Sequence, residues 1–117
     1  MTEKEMLDRT KTFALRVLNL VAALPNAIEG RTVGGQLARS GTSVGSNYRA
    51  ACRGRSRAEF IAKLRVAEEE ADESCFWMEI IVERRMLPPA KVANLLREGN
   101  ELTKIIAASK ISARKTR

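Results

Sequence analysis

Ser56–Leu87, SRAEFIAKLRVAEEEADESCFWMEIIVERRML, runs without a proline or a glycine and decides the fold. It predicts one long helix. Ser56 with Glu59 three residues on makes a capping box, which satisfies backbone N–H groups that the first turn leaves unpaired. Pro88 and Pro89 are expected to stop the helix. Phe60, Leu64, Ala67, Ala71, Ser74, Cys75, Met78 and Val82 recur at three- and four-residue spacing and share one face, which reads as core. In the C-terminal half Phe76, Trp77 and Ile80 fall outside that arc, so the helix is apolar on a second side, and a second side needs a second partner.

Working outward, Thr2 is placed to cap a first helix running to about Leu24, with Glu3 and Glu5 in the first turn, where the helix dipole favours them. Its stripe is Leu7, Thr10, Ala14, Val17, Leu18, Val21 and Leu24. Pro25, Asn26 and Gly30 read as the connection. The next segment holds Gly34, Gly35, Gly41 and Gly45, each costing about 1 kcal/mol against alanine inside a helix. Even so, Val33, Leu37, Ser40, Gly41, Val44, Tyr48 and Ala51 keep helical spacing, which predicts a helix over 32–52 whose small residues let a neighbouring backbone approach. After Pro88-Pro89, Val92, Leu95, Leu96, Gly99, Leu102, Ile105 and Ile106 mark a fourth helix, with proline tolerated at its first position. The stretch KISARKTR, 110–117, loses the pattern and carries four positive charges with no acidic residue. It reads as a disordered basic tail.

Four such segments with short connections predict an all-α, antiparallel up-down-up-down four-helix bundle over 1–109. Its core is expected from Val17, Leu18, Val21, Leu37, Val44, Phe60, Leu64, Ala71, Met78, Leu95, Leu102 and Ile106. A chain of 117 residues suits one such domain. Aromatic residues at only 4% agree with packed helices rather than strands. No apolar run approaches membrane-spanning length and the N-terminus carries no signal-peptide pattern, so the expected location is the cytoplasm. Cys52 and Cys75 lack CxxC spacing and read as reduced, small hydrophobic residues.

The sequence contains no histidine. The usual general base and the commonest metal ligand are therefore missing together, and the expectation is no enzyme, no metal and no cofactor. The net charge of +7 and a pI near 10.0 point instead to a polyanionic partner. The charge is segregated. Arg39, Arg49, Arg53, Arg55, Arg57, Lys63 and Arg65 face one acidic residue, Glu59, across 39–65, whereas 68–83 holds seven acidic residues and no basic one.

Two readings of that polarity stand side by side. In the first, Arg49, Arg53, Arg55, Arg57 and Lys63 join the tail residues Lys110, Arg114, Lys115 and Arg117 to neutralise phosphates of DNA or RNA, without base readout. In the second, the chain is a protein-interaction scaffold. Under either, Glu73, Phe76, Trp77 and Ile80 form a subunit contact, because aromatics inside a charged rim are typical of interfaces. Unlike surfaces meeting in this way would give a head-to-tail arrangement.

The stretch RSGTSVGSNYRAACRGRSRAEFIAKLRVAEEEADESCFWMEII, 39–81, resembles the small bacterial four helix bundle proteins. This family includes proteins encoded in intervening sequences of 23S ribosomal RNA genes, once labelled S23 ribosomal proteins. It is distantly similar to the accessory variability determinant of diversity-generating retroelements. The resemblance rests on Arg39-Ser40, Thr42-Ser43-Val44, Asn47-Tyr48-Arg49, Arg55-Ser56, Glu59-Phe60, Leu64, the 68–72 acidic run, Ser74 and Trp77. It implies a four-helix bundle, assembly as a homopentamer, and no catalytic residues. From the retroelement relatives it further implies a basic surface that meets nucleic acid and a reverse transcriptase.

Overall fold

The computed structural model describes residues 1–115 and leaves Thr116 and Arg117 outside the described residues. It contains four helices, α1 Glu3–Ala22, α2 Ile28–Cys52, α3 Arg57–Glu83 and α4 Pro89–Lys115. Each packs on its sequence neighbours and α4 closes back on α1, while the diagonal pairs stay apart, giving an antiparallel bundle of 49 × 21 × 20 Å. The α1–α4 seam is the sparsest. There Arg9 forks onto both oxygens of Glu98 at 2.7 Å and reaches Glu101 at 2.9 Å, with Arg9 and Glu98 mostly withdrawn from water. Paired, planar contacts of this kind are stronger than neutral hydrogen bonds, and they tie the seam where apolar packing is thinnest.

The helix starts follow the capping chemistry. Thr2 Oγ1 accepts from the Glu5 N–H at 3.1 Å and Glu5 Oε1 accepts from the Thr2 N–H at 3.0 Å. Ser56 accepts from the Glu59 N–H in the same way, but the returning Glu59 carboxylate takes the N–H of Arg55, one residue outside the expected box.

The end of α3 corrects the sequence reading. The prolines are not what stops it. The helix closes at Glu83, and Arg85 turns into the left-handed region at φ 58°. The Arg85 N–H then reaches the Val82 carbonyl at 3.1 Å and the Met86 N–H reaches the Ile81 carbonyl at 2.9 Å. These are the two bonds of a Schellman cap, which satisfies carbonyls the last turn would leave open.

Helix α2 starts four residues earlier than expected, and Gly30 lies inside it rather than in the connection. A Cβ on Gly30 would sit 2.0 Å from the Pro25 carbonyl oxygen, so only glycine lets the chain double back so tightly. Gly41 serves the close approach expected of this helix, since a Cβ there would lie 2.6 Å from Val17 Cγ1.

Of the expected core, Val17, Leu37, Val44, Leu64, Ala71, Met78, Leu95, Leu102 and Ile106 are buried, while Val21 and Phe60 are only partly covered. Leu18 is a correction, being 45% exposed. The buried side of α1 is Met6, Thr10, Phe13, Val17 and Leu20. The expected stripe followed the side of α1 that meets α2, whereas the buried arc also spans the side that meets α4. The tail is a second correction, because α4 continues through residues 110–115 instead of fraying at Lys110. Cys52 and Cys75 are free thiols, the first half-buried and the second buried.

Candidate nucleic-acid interface

Antiparallel connectivity puts the start of α1, the end of α2, the start of α3 and the end of α4 at one end of the bundle. A depression there of about 380 Å³ is lined from all four helices, by Glu3, Cys52, Arg57, Phe60 and Ala113 among others. Arg114 and Lys115, far from the Arg49–Arg57 cluster in sequence, are thereby carried to the same end as that cluster.

Arg49, Arg53, Arg55, Arg57, Lys63, Arg114 and Lys115 are all exposed. Among the described residues, no carboxylate forms an ion pair with any of the seven. The local acids are partly engaged elsewhere. Glu59 and Glu5 cap α3 and α1, and Thr2 holds the Glu5 carboxyl below its usual range by hydrogen bonding. Arg49 and Arg114 also lie in last turns, where the helix dipole favours cations, so part of their placement serves the helices themselves.

Two residues assigned to this surface from sequence stand apart. Lys110 is mostly covered and its Nζ lies 2.6 Å from Glu68 Oε1, a charge contact across the α3–α4 seam without hydrogen-bond alignment. That pair takes Lys110 out of the free cationic set. Arg117 lies outside the described residues. Conversely, Lys11 was not assigned, yet it lines the same α1–α2 groove as Arg49 and Arg53. The only signal for it was its position off the apolar stripe of α1.

Of the predicted subunit-contact residues on α3, Phe76 is exposed, Glu73 is half-buried, and Trp77 and Ile80 are partly buried against the core. Phe76 is 51% exposed and meets the Trp77 ring edge-on, with centroids 5.0 Å apart at 75°. Trp77 Nε1 donates to Glu73 Oε2 at 3.0 Å, and the same carboxylate pairs with Arg39, which also reaches Glu70 at 2.9 Å. Glu73 thus has partners within the chain, on its own helix and across the α2–α3 seam. Ile80 borders a groove of about 530 Å³ with Ile28, Thr32, Val33 and Met86, whose lining also includes the Arg84–Glu29 ion pair.

Among the described residues no group of three or more His, Cys, Asp or Glu is placed to hold a metal, and no helix is long and apolar enough to cross a membrane. Burial raises the Cys75 thiol to about 11 and also raises Cys52, the opposite of an activated nucleophile.

No curated protein matches the sequence. Among solved structures, the chain is similar to a protein of unknown function from the S23 ribosomal protein family of Bacteroides thetaiotaomicron. The two share 31% identity, with 94% of this chain and 98% of that one covered and a TM-score of 0.87. The family model for the 23S rRNA-intervening sequence protein matches residues 2–108, and the chain belongs to that family.

Proposed function

We propose that this protein is a non-enzymatic, homo-oligomeric accessory protein of the cytoplasm that binds DNA or RNA without reading sequence, through the basic end of the bundle. The observation behind this reading is the set of seven exposed cations at and near one end that form no ion pair with a carboxylate among the described residues. Each phosphate neutralised releases counterions, so affinity falls with salt by a log–log slope of about 0.9 per contact on duplex DNA. Base readout has little to work with. The one tyrosine, Tyr48, is buried, which removes it as a stacking platform beside the arginines.

Fluorescence anisotropy with labelled duplex DNA and RNA at two salt concentrations tests the reading. Binding is expected at low salt with little sequence preference. Changing Arg53, Arg55 and Arg57 together to glutamine is expected to lower the slope by about 2–3 on the same scale. Absence of binding at low salt, or an unchanged slope in the triple variant, overturns it.

The exposure of Phe76 supports the scaffold reading, in which the same chain presents protein-binding surfaces and no nucleic acid is involved. A reverse transcriptase, expected from the family resemblance, is one candidate partner under either reading. The homopentamer implied by that resemblance is tested by native mass.

A further inference from the structure

The groove between α1 and α2 carries three kinds of surface in a fixed order. Antiparallel packing sets Lys11 of α1 near Gly45 and Ser46 of α2, with Arg49 and Arg53 closer to the basic end and Ala14 and Thr42 farther from it. The facing side chains are mostly short, and a Cβ on Gly45 would lie 3.2 Å from the Thr10 carbonyl oxygen. The helices therefore run close and leave a trough of about 610 Å³ above their seam. That falls within the roughly 300–1,000 Å³ typical of small-ligand sites.

Lys11, Arg49 and Arg53 are exposed, and none is in an ion pair among the described residues. Of the two acids on the rim, Asp8 is held by Lys4 at 3.1 Å and Glu3 stands at the mouth. Three open cations in one groove suit an anion with several charges better than a single carboxylate. The hydroxyls behave differently. Thr42 Oγ1 donates to the Ala38 carbonyl at 2.7 Å and Ser46 Oγ to the Ser43 carbonyl at 3.2 Å. Each hydroxyl's one hydrogen is thus used within α2, which leaves oxygen acceptors for the groove. Acceptors repel phosphate and suit the hydroxyls of a sugar or the amino group of a base. Leu7 and Ala14, both half-buried, supply an apolar floor beside them.

We propose that this groove binds a nucleoside polyphosphate, with the phosphates on Lys11, Arg49 and Arg53 and the sugar and base farther along, beside Ala14, Thr42 and Ser46. The site needs no strand and goes beyond the proposed function. Because Arg49 and Arg53 also belong to the nucleic-acid surface, a nucleotide in the groove competes with DNA or RNA for them. That competition rests on the proposed function, whereas the site itself does not.

Cys52 lines the groove half-buried while Cys75 is buried, so alkylation of Cys52 in the folded full chain, read by mass spectrometry, reports whether the groove is filled. ATP is the probe. Titration calorimetry is expected to give a Kd at or below about 1 mM. At about ten times that Kd, ATP is expected to slow the alkylation about tenfold, as mass action requires. Lys11→Gln and Arg49→Gln, each checked for helix content by circular dichroism, are expected to weaken ATP binding about tenfold through loss of one charge-assisted contact. Lys104→Gln removes an equal exposed charge from α4 and is expected to leave the Kd unchanged, which separates a site from general attraction to a basic chain. Inorganic triphosphate and adenosine, tried singly, are expected to bind more weakly than ATP. Three results overturn the proposal: no slowing of Cys52 alkylation by ATP at about 1 mM, equal losses in Lys104→Gln and Lys11→Gln, or inorganic triphosphate binding as tightly as ATP. Anisotropy with labelled DNA is run without nucleotide, so the nucleic-acid reading and this one fail independently.

Discussion

The hydroxyls of Ser40 on α2 and Ser74 on α3 meet 2.9 Å apart in the fully buried seam between the two helices. Ser74 also lies 2.8 Å from the Glu70 carbonyl, so it has a partner on its own helix as well as across the seam. A buried hydroxyl without a partner costs about 1–3 kcal/mol, whereas a satisfied pair costs little and holds two helices in one register. Ser40→Ala and Ser74→Ala are each expected to lower stability by about 1 kcal/mol. The double variant should lose less than the sum, with a coupling of about 0.5–1.5 kcal/mol in a urea-denaturation cycle.

Gly41 and Gly35 are expected to answer alanine with opposite signs. At Gly41 the new Cβ would meet Val17 at 2.6 Å, and forcing α1 and α2 apart is expected to cost about 1–3 kcal/mol. At Gly35 the space is open, so alanine is expected to stabilise a single chain by about 0.5–1 kcal/mol through helix propensity. Thermal unfolding of both variants provides the comparison.

Arg85 adopts φ 58° to close α3, a conformation that costs a side-chain-bearing residue about 1 kcal/mol and costs glycine nothing. Arg85→Gly is therefore expected to raise the urea midpoint by an amount worth about 0.5–1 kcal/mol. Arg85→Val should lower it.

Cys75 gives a pH dependence. Burial raises its thiol from 9.0 to about 11, so the folded chain holds the proton more tightly than the unfolded chain. That contribution is complete below about pH 9 and is lost as pH rises toward 11. Urea midpoints are expected to fall between these values in the wild type and to fall less in Cys75→Ala.

Local chemistry was legible in the sequence. The Thr2 and Ser56 caps, the four helices and most of the core follow from side chains acting within one or two turns of themselves, and such interactions need no knowledge of the neighbours. Which side of α1 is buried was decided only in the tertiary structure, because Leu18 and Leu20 are both apolar and the position of α4 selects Leu20. The end of α3 was misread for a related reason. Pro88 and Pro89 are strong stop signals, but the Schellman bonds at Arg85 close the helix before the chain reaches them. Charge behaved in the same way. Composition showed a basic chain, yet pairing across seams determines which charges remain free. Lys110 and Glu73 looked available and are held by Glu68 and Arg39, while antiparallel packing carries Arg114 and Lys115 to the end where Arg53, Arg55 and Arg57 form no ion pair among the described residues. Ion pairs between helices depend on distances set by packing, and those distances are not written in the spacing of residues along any one helix.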